Sequence, residues 1–331
     1  MPEWSTVELC EKNMLPDCAA LPGGQLTSPF VFVVGCPRSG TTLLQRMLDN
    51  HPQLTVANDT HFITRAAKTV LRDDPNPSLS PELVAAVKDY RRIYRLGLDE
   101  QAIDLAAEHC QTYAEFVSYL YVLRGQLKNK PLSGEKTPDY CRQMPALRAL
   151  FPASRFVHII RDGRNTALST LNWASGSKGP GKWSLWSKDP VGTCALWWHW
   201  QAGTGQQDGR AIGSDHYLQV KYEDLVAQPE RTLEEISGFL GIPYADAMAN
   251  YFVGKVKHES GLSAKSAWLP PVQDLRDWRK SMSSQDIDVF EGIAGQLLQD
   301  NGYDCLENTP TNAVSDRVQQ CLHWWTNAGK R

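Results

Sequence analysis

The stretch Phe30-Val31-Phe32-Val33-Val34-Gly35-Cys36-Pro37-Arg38-Ser39-Gly40-Thr41-Thr42 sets the architecture of the chain. Its first five residues are β-branched or aromatic and stop at a glycine, which reads as a buried strand. Leu43, Leu44, Met47 and Leu48 then fall at i, i+1, i+4 and i+5, the spacing of a helix face. Between strand and helix lies a turn with glycines at 35 and 40. Such a turn lets successive backbone N–H groups point into one concavity, and the helix dipole adds positive potential there. Thr41 and Thr42 add hydroxyl donors, and Arg38 is the loop's cation. The stretch reads as an anion cradle, the bland alternative being a glycine-rich turn with no ligand.

The glycine spacing equals that of the nucleotide loop G-x-x-x-x-G-K-[ST], but Thr41 stands where that loop has lysine. A kinase or ATPase uses that lysine on the β and γ phosphates. The loop is therefore suited to an anion of smaller charge than a triphosphate. A kinase-like phosphotransferase remains the alternative reading.

Outward from this stretch, three more apolar runs read as strands: Gln53–Val56, Arg155–Ile160 and His216–Val220. Helix-period segments separate them, over 81–127 and 230–240. Ser283-Ser284 can cap a C-terminal helix whose apolar face is Ile287, Phe290, Ile293 and Leu297. The pattern predicts an α/β fold, a central, mostly parallel sheet flanked by helices. It also predicts one domain over 1–331 with a helical insertion at 62–130. Residues 173–200 hold six tryptophans and several glycines, which suits either helix packing or a lid and wall for an acceptor.

Composition narrows the function. Of 331 residues, 42% are hydrophobic and 21% charged, which excludes a disordered chain. Lys plus Arg total 34 against 37 Asp plus Glu, a formal charge of −3, so no basic excess supports a nucleic-acid partner. No apolar run is long enough to span a bilayer. The acidic residues Glu3, Glu8, Glu11 and Asp17 do not suit a secretory leader. Eight scattered cysteines with no C-x-x-C pair argue against a metal cluster and suit free thiols. Together these lead to the expectation of a soluble, cytoplasmic protein with no membrane span and no metal.

A second anion site follows the strand Arg155–Ile160, where Arg161-Asp162-Gly163-Arg164 opens a helix and Ser169 lies about two turns on. The alternative for Arg161 is a surface ion pair with Asp162 or a neighbour. Two such sites at neighbouring strand ends suit one ligand carrying two anionic groups at the carboxyl edge of a sheet.

Pro37-Arg38-Ser39-Gly40-Thr41-Thr42 resembles the 5′-phosphosulfate loop of sulfotransferases that use 3′-phosphoadenosine 5′-phosphosulfate (PAPS), in the arginine form of the tyrosylprotein enzymes. The resemblance implies the P-loop-like sulfotransferase fold, and it assigns Arg38, Ser39, Gly40, Thr41 and Thr42 to the 5′ end of PAPS. Arg161 and Ser169 are similar to the family's 3′-phosphate pair. Asp59-Thr60-His61-Phe62 resembles the acidic stretch that carries the family's general base. It assigns that role to Asp59, although Asp stands where those families have Glu, so His61 stays a competitor. The bland alternatives are a helix cap for Asp59 and a packed core residue for His61. Glu135-Lys136-Thr137-Pro138 is similar to a stretch whose lysine supports the sulfuryl group, which assigns Lys136. Ser263 and Lys265 fall in a segment that resembles the late cofactor-covering loop. The implied reaction is sulfuryl transfer to a hydroxyl of a sugar, lipid or small-molecule alcohol, without a metal.

Overall fold

A computed structural model describes residues 28–174, 179–253, 270, 276–306 and 308–329. Five strands, β1 (Val31–Val34), β2 (Leu54–Asn58), β3 (Leu132–Lys136), β4 (Arg155–Ile160) and β5 (Tyr217–Lys221), form one sheet in the order β2-β3-β1-β4-β5. Every adjacent pair is parallel. All carboxyl ends therefore lie along one edge, where ligands of open α/β sheets bind.

Alternation along β1 shows why its sequence is apolar throughout. Phe32 and Val34 face a core shared with helices Glu100–His109 and Tyr113–Leu127. Val31 and Val33 face a second core shared with helices Thr41–Asp49 and Pro229–Leu240. A strand buried on both faces reads as a continuous apolar run. Phe32 stacks on Phe156 of β4 with centroids 5.3 Å apart, joining the central strands on the first face.

Four strands agree with the sequence expectation to within one or two residues. β3 does not: Leu132-Ser133-Gly134-Glu135-Lys136 has no β-branched or aromatic residue, so composition alone conceals it. It is nevertheless the strand between β2 and β1. Gly134 is required there, since a Cβ would approach the Val31 carbonyl oxygen to 2.6 Å. The region 62–130 holds helices at Phe62–Arg65, Pro81–Lys88, Glu100–His109 and Tyr113–Leu127. Ser283 caps the helix Ser284–Asp300 by accepting from the Asp286 N–H. Within the tryptophan-rich segment, Trp198 is buried against Phe290 and donates its indole N–H to the Arg161 carbonyl at 3.1 Å. Trp183 packs with Trp324 and Trp325, Trp200 with Trp325, and Trp197 with Trp183 and Trp200.

Candidate active site

The loop after β1 is built by two left-handed residues. Arg38 has φ 80° and Gly40 φ 95°. A Cβ on Gly40 would lie 2.3 Å from the Tyr222 ring, so glycine is needed for space as well as for torsion. The loop then opens the helix Thr41–Asp49, whose first N–H groups point back toward it. Ser39 is fully buried, yet its hydroxyl has no partner among the described residues. A buried donor left unsatisfied is costly, and a bound anion supplies the acceptor it lacks.

The loop after β4 meets the first one directly. Arg38 Nε donates to the Ser169 hydroxyl at 3.0 Å. Arg161 is buried and its guanidinium lies 4.1 Å over the Tyr222 ring, with Nε unpartnered among the described residues. Asp162 does not pair with it; Asp162 is held instead by Arg164, whose guanidinium also stacks on Trp278 at 3.6 Å. Burial lowers the Arg38 guanidinium to about 10, and the charges of Arg276 and Arg161 push the same way. Like-signed guanidinium groups gathered in a buried place destabilise one another until an anion neutralises them. The sequence places Arg276 in the segment that resembles the late cofactor-covering loop, and it gives Tyr222 no part in the site. Tyr222 follows β5 and could have been found only from the sheet order, which sets it beside both loops.

At the other side of the cradle, β2 and β3 bring Asp59 and Lys136 together. Lys136, 1% exposed, places Nζ 3.4 Å from Asp59 Oδ1 and 3.4 Å from the Thr42 hydroxyl. The Asp59 N–H donates to the Lys136 carbonyl at 2.6 Å. Arg95 stands 3.7 Å from Asp59 Oδ2, and Arg92 and Arg95 both donate to the Asp59 carbonyl. Burial would raise the Asp59 carboxyl, but Lys136 and His61 outweigh it and hold the group well below the usual carboxylate range. Burial depresses the Lys136 ammonium, opposed by Asp59. Glu135, on the opposite face of β3, is buried and its carboxyl is raised by that burial. It accepts from Tyr121 at 2.7 Å, from the Thr60 N–H at 3.1 Å and from the Thr137 hydroxyl. It thereby ties the β2 and β3 loops together.

His61, not Asp59, is the residue before the helix Phe62–Arg65, so the capping alternative for Asp59 does not apply. Asp59 (φ 62°) and His61 (φ 60°) are both left-handed. Strained backbone of this kind persists where the surroundings over-determine it, and it gathers at functional sites. The structure thus brings Arg38, Ser39, Gly40, Thr41, Thr42, Asp59, His61, Lys136, Arg161 and Ser169 to one sheet edge. Ser263 and Lys265 lie outside the described residues.

A cradle of N–H donors, gathered arginines and a carboxylate–lysine pair make up a site for transferring an anionic group. The sulfotransferase family model matches residues 29–246, and this chain belongs to that family. It is 26% identical over 309 residues to protein-tyrosine sulfotransferase A of Caenorhabditis elegans, covering 89% of this chain and 73% of that one. It is 27% identical over 295 residues to the protein-tyrosine sulfotransferase of Drosophila melanogaster, covering 87% and 54%. Among solved structures, the sulfotransferase domain of a Synechococcus olefin synthase superposes with a TM-score of 0.57 at 23% identity, covering 83% of this chain and 95% of that one. That likeness establishes the shared fold. The chain is accordingly a sulfotransferase, and the kinase-like alternative falls.

The relatives also correct one expectation. The animal protein-tyrosine sulfotransferases to which the chain is similar are not cytoplasmic enzymes, and the cytoplasmic placement is withdrawn. Among the described residues no helix is long and apolar enough to cross a membrane, a fact that does not restore it.

Proposed function

We propose that this chain moves the sulfuryl group of PAPS to the phenolic hydroxyl of a tyrosine in a polypeptide. The observation that carries the reading is the line Thr42–Lys136–Asp59, in which one buried ammonium touches both the anion loop and a carboxylate. PAPS supplies an activated sulfuryl group on a phosphate oxygen. Arg38, Ser39, Gly40, Thr41 and Thr42 hold its 5′ end, and Arg161 and Ser169 its 3′-phosphate. The Ser39 hydroxyl and Arg161 Nε, without partners among the described residues, are donors that fit such a doubly anionic nucleotide. Asp59 takes the proton of the acceptor hydroxyl, and Lys136 neutralises charge that develops on the oxygen the sulfuryl group leaves. Transfer between oxygens held in line needs positioning and charge stabilisation above all.

The sugar, lipid or small-molecule acceptor expected from the sequence gives way here to tyrosine. The relatives named above are protein-tyrosine enzymes. A physical argument agrees. Asp59 is held below the carboxylate range, which makes it a weak base. A phenol, with a pKa of about 10, gives up its proton to such a base far more readily than an aliphatic alcohol does. Incubation with PAPS and a panel containing tyrosine peptides, their phenylalanine counterparts, a sugar and a sterol tests this by mass detection of an added sulfo group. Sulfonation of the sugar or sterol with the tyrosine peptides untouched would refute it.

A further inference from the structure

Asp139 stands three residues beyond Lys136, on the turn Pro138–Arg142, and nothing above gives it a role. Its position relative to His61 does. The His61 ring is buried between two carboxylates, with Nε2 3.5 Å from Asp59 Oδ1 and Nδ1 3.9 Å from Asp139 Oδ2. Nδ1 makes no hydrogen bond among the described residues. The Thr137 hydroxyl accepts from the His61 backbone N–H at 3.4 Å, and the Tyr140 ring meets the imidazole edge-on at 6.4 Å. Asp139 is fixed by Arg65, which donates to the same Oδ2 at 3.1 Å, and by Gln201, which donates to Oδ1 at 3.2 Å.

An imidazole can accept a proton on one nitrogen while releasing another from the second. Here each nitrogen faces its own carboxylate, at distances that shorten when substrate closes a site. Side-chain exposure is 27% at Asp59, 8% at His61, 17% at Asp139 and 45% at Arg65, so beyond the buried imidazole the groups open to water again.

We propose that Asp139 positions His61 as the proton exit of the transfer reaction. The inference rests on Asp59 being the base. The proton that Asp59 takes from the acceptor passes from its carboxyl oxygen to His61 Nε2. The Nδ1 proton passes to Asp139 Oδ2 and then to water. Over the three transfers two O–H bonds and one N–H bond break, one N–H and two O–H bonds form, and no electrons are gained or lost. Asp59 is restored as a carboxylate while products are still bound. It therefore remains the counter-ion of buried Lys136, which a neutral Asp59 would leave as an uncompensated charge.

The test uses the full chain with PAPS and a tyrosine peptide, and reads kcat, both KM values, thermal melting and binding of 3′-phosphoadenosine 5′-phosphate. Asp139→Asn is expected to lower kcat about tenfold or more with both KM values within about twofold, the magnitude of a lost proton-transfer aid. Asp139→Glu is expected to recover much of that loss. His61→Gly is expected to lose kcat similarly and to regain it with added imidazole. Unchanged kcat in Asp139→Asn overturns the relay. So does a His61→Gly enzyme that melts and binds nucleotide normally yet ignores imidazole. If Asp139→Asn melts early, Asp139→Glu decides: normal melting without recovered kcat overturns the proposal. Full turnover by Asp59→Asn overturns the base assignment and the relay with it. A dead Asp59→Asn beside a fully active Asp139→Asn overturns the relay alone.

Discussion

The Arg161 guanidinium lies 4.1 Å over the ring of Tyr222, and the edge of that same ring occupies the space a side chain on Gly40 would need. One aromatic ring thus links the loops after β1 and β4, so that neither anion site can shift without the other. Tyr222→Phe, which keeps the ring, should retain affinity for 3′-phosphoadenosine 5′-phosphate. Tyr222→Ala should lose about tenfold, from a desolvated cation–π contact of about 1–2 kcal/mol. Calorimetric titration of both variants checks this, and equal affinities would refute the linking role.

Arg38 reaches Ser169 across 131 residues of sequence, so its loss removes a donor from the 5′ loop and frees a hydroxyl in the 3′ site. Arg38→Ala and Arg161→Ala should each weaken the same nucleotide by about 2 kcal/mol, roughly 30-fold, as expected for charge-assisted bonds. Because the loops touch, the double variant should lose less than the sum of the single losses. Strict additivity in a double-mutant cycle would show that the two sites act separately.

Asp59→Asn keeps the size of the side chain but removes the base. A fall in kcat of about 10²- to 10⁴-fold is expected, with nucleotide affinity within a few fold of the parent. Lys136→Met should likewise act on turnover, since Lys136 meets the loop after β1 at the Thr42 hydroxyl. Single-turnover kinetics separates the effects; a loss confined to KM would argue against both roles.

His158, fully buried in β4, bonds Tyr217 at 2.8 Å, and burial lowers its ring to about 3. The unfolded chain titrates a histidine near 6.5. The folded value is the lower one, so stability is intact above about pH 6.5 and falls as pH drops toward 3. The slope approaches about 1.4 kcal/mol per pH unit, one proton's worth. His158→Gln should melt lower at pH 7.5, yet lose less stability than the parent on acidification to pH 4. Parallel melting curves against pH would exclude His158 as the source of that slope.

The sequence and the tertiary structure contributed differently. β1 with its glycine loop, β4 with Arg161, and the Ser283 cap were legible because each is a local pattern, in which periodicity, glycine torsion and capping act within about ten residues. β3 was not legible, because Leu132–Lys136 is a strand by virtue of its neighbours rather than its composition. Tyr222 and Asp139 were likewise hidden. Their roles come from contacts with residues far away in sequence.

The sequence by itself determined the α/β class and the glycine turn after β1, and it named the residues proposed to bind or move a charged group. Only the tertiary structure decided that Lys136 would touch both Thr42 and Asp59, and that His61 would sit between two carboxylates. Local sequence specifies torsions and burial preferences. The order in which parallel strands assemble specifies which loops share an edge, and no segment carries that order alone.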